Sequence, residues 1–242
     1  MLAIIGGTGL TQMPGVEVLA EHSATTPLGE ASSPVIEARL QGQRLLFLAR
    51  HGHPHQLPPH KINYRANLLA LKAAGATQIL AINAVGGLDP KQGLASLVLP
   101  HQIIDYTWGR ESTFYDGDYL PLEHIDFTHP YSVELSERLL AAAQQAGVQL
   151  YQGGVYGATQ GPRLETAAEI RRMAQDGCTL VGMTGMPEAA LAKELAFPYA
   201  CLAIIVNPAA GLGEEEITLQ QMQGALSQGV DQVMTLINAL LR

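Results

Sequence analysis

Six polar residues of this chain sit directly behind apolar runs: Thr8, Arg50, His51, Asn83, Thr184 and Asn207. The runs are LAIIGGTGL (2–10), LLFLARHG (45–52), ILAINAVGG (79–87), LVGMTGMPE (180–188) and CLAIIVNPAAG (201–211). Hydroxyls, a guanidinium, an imidazole and carboxamides suit a phosphate and a heterocycle better than redox or metal chemistry. Uninterrupted aliphatic runs of this length read as strands buried on both faces, and an open α/β sheet gathers ligands at the carboxyl ends of such strands. The five ends are therefore expected to face one crevice.

Each residue has a structural alternative. GGTG at 6–9 supplies backbone N–H groups that approach an anion closely, but it is neither GxGxxG nor a Walker loop, and a ligand-free tight turn explains it equally well. Arg50 must find an anion or a carboxylate, because an unpaired buried charge is costly. His51, His53, His55 and His60 have spacing that suits a metal on one face of a strand, yet Pro54, Pro58 and Pro59 break that strand, so no metal site is expected. Glu165 is read in the first turn of a helix, where the helix dipole alone would stabilise it. Asn207 ends a strongly apolar strand, and a buried carboxamide must either cap local backbone or read a ligand.

Several elements position these groups. PVIEARL (34–40) and RLLFLA (44–49) around Gln41-Gly42-Gln43 read as a β-hairpin leading into Arg50 and His51. NYRANLLALKAAG (63–75) has helical spacing and a terminal Gly, and SLVLPHQIID (96–105) is a strand with an edge or bulge at Pro100. The pattern predicts a helix over 132–147, a strand near 151–158, a helix over about 163–176 and a helix opened by Pro187. A final helix begins at a capping box of Thr218 and Gln221, with Leu219, Met222, Val233, Ile237 and Leu240 on its apolar stripe. Residues 107–130 are aromatic and polar without a period, which marks a functional loop or one lying against a neighbouring subunit.

At 242 residues, with no linker and no internal repeat, residues 1–242 read as a single domain. A formal charge of −8, from 14 basic and 22 acidic residues, argues against a nucleic-acid surface, although a small anion can still bind locally. Cys178 and Cys201 lie in apolar runs, as buried thiols of a reducing cytoplasm do. The N-terminus lacks the pattern of a signal peptide, and no apolar run approaches the roughly 20 residues of a spanning helix. The expectation is a soluble, cytoplasmic protein without nucleic-acid or membrane partners.

IGGTGL, ARHGH with HKINYRAN, NAVGGL, FYDG, GPRLETAAEIR, VGMTGMPEAALAKE and the strand ending in Asn207 follow one another through nearly the whole chain. As an ordered set they resemble the trimeric purine nucleoside phosphorylases and methylthioadenosine phosphorylases. The resemblance implies the nucleoside phosphorylase fold, an α/β, three-layer-like arrangement in which helices surround a mixed, partly barrel-like β-sheet. It also implies a homotrimer that exchanges the base of a nucleoside for inorganic phosphate at the anomeric carbon. Phosphate is then a co-substrate and no cofactor is needed.

Position by position, Thr8, Arg50, His51 and Thr184 are similar to the family's phosphate cradle, joined by backbone near Ala84, and Met183 to the residue that packs against the ribose. Asn207 matches the catalytic amide that donates to the departing purine, with Pro208 and Ala209 beside it in the substrate-binding set. Relatives that take adenine nucleosides carry Asp in place of Asn207 and usually Ser in place of Glu165, so the resemblance implies a 6-oxopurine here. Relatives acting on inosine and guanosine use a His near the start of the last helix; Leu219 and Met222 offer an apolar wall instead, which favours a 5'-methylthio group. The implied substrate is S-methyl-5'-thioinosine, with inosine, guanosine or methylthioadenosine as alternatives. Glu165 and Leu219 set this specificity, and His124 is similar to a residue lent to the neighbouring subunit. Two positions depart from the methylthioadenosine enzymes, Asn83 where they have Thr and Ala209 where they have a second acidic base contact.

Overall fold

The computed structural model describes residues 1–7, 14–213 and 216–242. Thr8 and the rest of the GGTG motif beyond Gly7 lie outside them. In chain order the chain begins with β1 (Leu2–Gly6), β2 (Glu17–His22), β3 (Thr25–Thr26), β4 (Gly29–Glu30), β5 (Val35–Leu40) and β6 (Gln43–Ala49). There follow α1 (Tyr64–Ala73), β7 (Gln78–Gly87), β8 (Leu97–Leu99), β9 (Gln102–Asp105), α2 (Val133–Ala146), β10 (Leu150–Gln152) and β11 (Val155–Ala158). The chain closes with α3 (Ala167–Gln175), β12 (Leu180–Gly182), α4 (Glu188–Glu194), β13 (Tyr199–Pro208) and α5 (Leu219–Leu240).

These elements fall into two compact units whose segments alternate along the chain. The first comprises Met1–Ile82, Trp108–Ser132 and Met186–Ala200. In it β1 runs parallel to β6 and to the first half of β7, and its five residues are all buried, as expected of a strand with neighbours on both edges and cover on both faces. β5 and β6 form the expected hairpin, in which Gln41 and Gly42 take positive φ (53° and 78°). Two consecutive residues of that conformation give the turn whose twist matches the strands. β2 adds antiparallel to β5, a strand with no apolar alternation to announce it. Asn63 caps α1 by accepting from the Ala66 N–H at 3.0 Å, and the helix packs on α4 and β6.

The second unit comprises Asn83–Thr107, Val133–Gly185 and Cys201–Arg242. Its strands are mixed in direction: β10 with β8, β11 with β9 and β11 with β12 are parallel, whereas β12 with β7 and β13 with β8 are antiparallel. The antiparallel pairing of β12 with β7 is one of the reversals that make the sheet mixed, as the resemblance implied. Leu180 pairs with Gly87 and Val181 with Gly86, so the residues after β12 run back along β7 toward Asn83. The predicted strand 151–158 is two strands, because Gly153 and Gly154 take positive φ (94° and 109°). The predicted strand 96–105 is likewise divided into β8 and β9 around Pro100 and His101. α5 carries the predicted capping box, with Val233 and Ile237 fully buried and the helix packed on α2 and β8. Residues 107–130 contain no helix or strand, as expected, but Phe114 within them is fully buried. Both cysteines are buried and free, and no described helix is long and apolar enough to cross a membrane.

Candidate active site

Arg50 follows β6 and is 2% exposed. Its Nε donates to Oε2 of Glu188 at 2.7 Å and its Nη2 to Oε1 at 2.9 Å. Nη1 donates to the Ile82 carbonyl at 3.0 Å, and Nη2 also reaches that of Ile5 at 3.4 Å. Glu188 is wholly buried at the start of α4, and the Tyr199 hydroxyl donates to its Oε1 at 2.9 Å. Burial by itself lowers the pKa of the guanidinium, but the charge and hydrogen bonds of Glu188 outweigh it and leave the pKa raised. Arg50 thus makes the carboxylate pairing that its burial demanded. Of the five N–H groups of a guanidinium, only the second on Nη1 lacks an acceptor among the described residues. Glu188 and Tyr199 were missed in the sequence; the need of a buried Arg for a carboxylate was the signal, but it does not say which one.

His51 is held by its neighbours. Its Nδ1 lies 2.8 Å from the Leu57 carbonyl, and its ring stacks on that of His55 with centroids 4.3 Å apart and planes 6° apart. Burial chiefly, then the charges of Arg50 and His55, hold its pKa down to about 4 against the opposing Leu57 hydrogen bond, so the ring is neutral near pH 7. Among the described residues no cluster of His, Cys, Asp and Glu could hold a metal. His124 is exposed on the long loop.

In the second unit the return of the chain after β12 places Thr184 beside Asn83: Nδ2 of Asn83 donates to Oγ1 of Thr184 at 2.8 Å, and Cys201 Sγ lies 3.5 Å from Oδ1 of Asn83. Since Thr184 Oγ1 is already accepting, its own hydrogen is available to donate elsewhere. Ala84 is the exposed residue in an otherwise buried stretch of β7, at the point where that strand has left β1 and not yet met β12. A backbone open to approach in the middle of a core strand is what a ligand requires.

Asn207 is 7% exposed near the end of β13 and its Nδ2 donates to the Pro208 carbonyl at 2.6 Å, so in this state it serves local backbone. Gly86 lies against it: a Cβ there would come within 3.3 Å of Asn207 Nδ2. Pro208 is exposed, but Ala209 is 1% exposed and packs with Ile170, Met173, Cys178 and Val181, which makes it part of the core. Glu165 is not in the first turn of a helix. α3 starts at Ala167 behind a capping box of Thr166 and Glu169, so the dipole explanation for Glu165 falls away. Its Oε1 instead accepts from Thr159 Oγ1 at 2.6 Å, and Thr159 is another residue the sequence did not single out. Met183 is half-buried over Gly161, where a Cβ would meet its Sδ at 2.5 Å. Leu219, the first residue of α5, is 76% exposed, so it is not the core residue that periodicity alone would make it.

Comparison with known proteins matches the chain to the family model of the phosphorylase superfamily over residues 1–242. The chain belongs to the phosphorylase superfamily. It is an enzyme of the purine nucleoside phosphorylase type, a pentosyltransferase. It is 52% identical over 239 residues to a probable S-methyl-5'-thioinosine phosphorylase of Pseudomonas syringae pv. tomato, covering 99% of this chain and 97% of that protein. It is 41% identical to the 6-oxopurine nucleoside phosphorylase of Pyrococcus furiosus, covering 99% and 91%. Among solved structures, methylthioadenosine phosphorylase from Schistosoma mansoni in complex with adenine matches with a TM-score of 0.92 at 29% identity, covering 99% of this chain and 90% of that one. Membership in the superfamily accounts for the mixed sheet and the flanking helices.

Proposed function

We propose that the protein catalyses the reversible phosphorolysis of S-methyl-5'-thioinosine to hypoxanthine and 5-methylthioribose 1-phosphate. The observation that carries the choice of base is the pair Glu165 and Asn207. Glu165 is a half-buried carboxylate anchored through one oxygen by Thr159, which leaves the other to accept the ring N–H of a 6-oxopurine. Asn207 is a carboxamide at a strand end whose amide, swung from Pro208, donates to the purine. Adenine lacks the ring hydrogen, and a site left with an unpaired polar group rejects it.

Charge drives the rest. As the glycosidic bond breaks the sugar becomes oxocarbenium-like and the purine gains negative charge, so the Asn207 hydrogen bond strengthens in the transition state, where it accelerates the reaction. Phosphate, the co-substrate, is assigned to Thr8, the open Nη1 hydrogen of Arg50, His51, backbone at Ala84 and the Thr184 hydroxyl. Positioned donors supply orientation without a covalent enzyme intermediate. We further assign residues 1–242 to a single catalytic domain, working as a cytoplasmic homotrimer without a cofactor, with Met183 against the ribose and His124 serving a neighbouring subunit.

A second reading, a phosphorylase of ordinary inosine and guanosine, draws support from the exposure of Leu219, because an apolar wall open to water discriminates weakly for a methylthio group. The deciding experiment compares kcat/KM for methylthioinosine, methylthioadenosine, inosine and adenosine at saturating phosphate. Methylthioinosine should lead; a lead for inosine selects the second reading, and a lead for either adenine compound removes the roles given to Glu165 and Asn207.

A further inference from the structure

We propose that Thr159 is a positioning residue for base selection: its hydroxyl fixes the polarity that residue 165 presents, so the site takes bases with a ring N–H and turns away those with a bare ring nitrogen. The inference rests on the reading of Glu165 as a base contact and assigns control of that contact to a second side chain. Glu165 stands between β11 and α3, where neither strand nor helix holds it. Thr159 is held by the sheet. Ala158 is the Cα partner of Gly182 in the parallel pair of β11 and β12, and the Thr159 N–H extends that ladder by donating to the Gly182 carbonyl at 2.8 Å. On the other edge the Tyr106 N–H donates to the Ala158 carbonyl at 2.8 Å. The hydroxyl therefore projects from a backbone fixed on both sides, and a group carried by strands is placed more precisely than one carried by a loop.

That hydroxyl has one hydrogen and two acceptors in reach, Glu165 Oε1 at 2.6 Å and the Gly182 carbonyl at 3.3 Å. The shorter contact has the length of a charge-assisted bond, the longer lies beyond the usual O–H···O range, and the Gly182 oxygen already accepts from the Thr159 N–H. The hydrogen goes to Glu165. Arg163 does not compete for the carboxylate, because its two terminal nitrogens donate to Glu169 at 2.9 and 2.8 Å. One oxygen of Glu165 is thus engaged by Thr159, and the other faces the base as a fixed acceptor. The Gly182 carbonyl also gives the hydroxyl a second setting. With an amide at position 165 it turns its hydrogen to Gly182, accepts the amide N–H and leaves the amide oxygen toward the base.

The test measures hypoxanthine and adenine binding to the full-length enzyme by calorimetry at saturating phosphate. Thr159→Val removes the hydroxyl at nearly constant volume; it should weaken hypoxanthine by about tenfold or more, the contribution of a hydrogen bond to a charged group, and leave adenine within about twofold. Thr159→Ser keeps the hydroxyl and should restore the wild-type ratio of the two affinities. Equal weakening of both bases by Thr159→Val would reduce Thr159 to packing and overturn the proposal, as would unchanged hypoxanthine binding. If that variant does not fold, Glu165→Gln decides: with Thr159 accepting the amide N–H, hypoxanthine should still bind more tightly than adenine, and a preference for adenine refutes the proposal. Glu165→Ala separates this inference from the reading beneath it. Hypoxanthine bound as tightly by Glu165→Ala as by the wild type would remove Glu165 from the base site, and the role of Thr159 with it.

Discussion

Glu188 grips the Arg50 guanidinium along one edge, with Nε at 2.7 Å and Nη2 at 2.9 Å, and neither side chain is open to solvent. A buried pair of this kind gains little over a hydrophobic pair, but losing one partner leaves the other charge stranded. The pair carries low net charge, so in the proposed phosphate cradle Arg50 acts through directed hydrogen bonds more than through excess positive charge.

Glu188→Gln keeps the shape and removes the charge, so it should destabilise the protein by about 3–5 kcal/mol. Tyr199→Phe removes only the hydroxyl that donates to Glu188 Oε1 and should cost less, about 1.5–3 kcal/mol for a bond to a charged group. Urea unfolding of both variants checks the order; equal losses would mean that the pair does not act through its charge.

Acid should weaken the fold in a window set by His51. Its folded pKa, held down to about 4, lies below the ordinary 6.5, so the unfolded chain takes up a proton that the native state refuses. Stability is full above about pH 6.5, falls as the pH drops toward 4 and then levels, a change of at most about 3 kcal/mol. His51→Gln should flatten the profile between pH 6.5 and 4.5. A variant as acid-sensitive as the wild type over that span would contradict this.

Gly86→Ala should injure nucleoside binding more than phosphate binding. The new Cβ would meet Val181 Cγ1 at 3.0 Å and Asn207 Nδ2 at 3.3 Å, crowding the carboxamide assigned to the base. Overpacking of about 1–3 kcal/mol corresponds to a rise in nucleoside KM of about fivefold to a hundredfold. Steady-state kinetics with each substrate varied separately would show it, and an equal effect on both would count against the base-binding role of Asn207.

Replacing Glu165 by Ser and Asn207 by Asp together should move preference toward 6-aminopurine nucleosides. The first change removes the acceptor for the ring N–H that only a 6-oxopurine carries and the second replaces an amide donor by a carboxylate acceptor, so kcat/KM for methylthioinosine should fall by about a hundredfold or more. Parallel losses for methylthioinosine and methylthioadenosine would show that these residues support the site without reading the base.

What could be read in the chain was local. Gln41-Gly42 between two apolar runs specifies its hairpin, Thr218 and Gln221 specify the start of α5, and an unbroken aliphatic run ending in Asn207 specifies a buried strand with a polar end, because turn chemistry, capping and burial act over a few residues. The ordered motifs also gave the family. Only the folded chain decided that Arg50 pairs with Glu188, 138 residues away, that β12 runs against β7 so that Asn83 meets Thr184, and that Glu165 precedes its helix and leans on Thr159. These depend on which strands become neighbours and in which direction. Hydrophobic pattern makes a residue buried, but its partner is chosen by the packing of the whole chain.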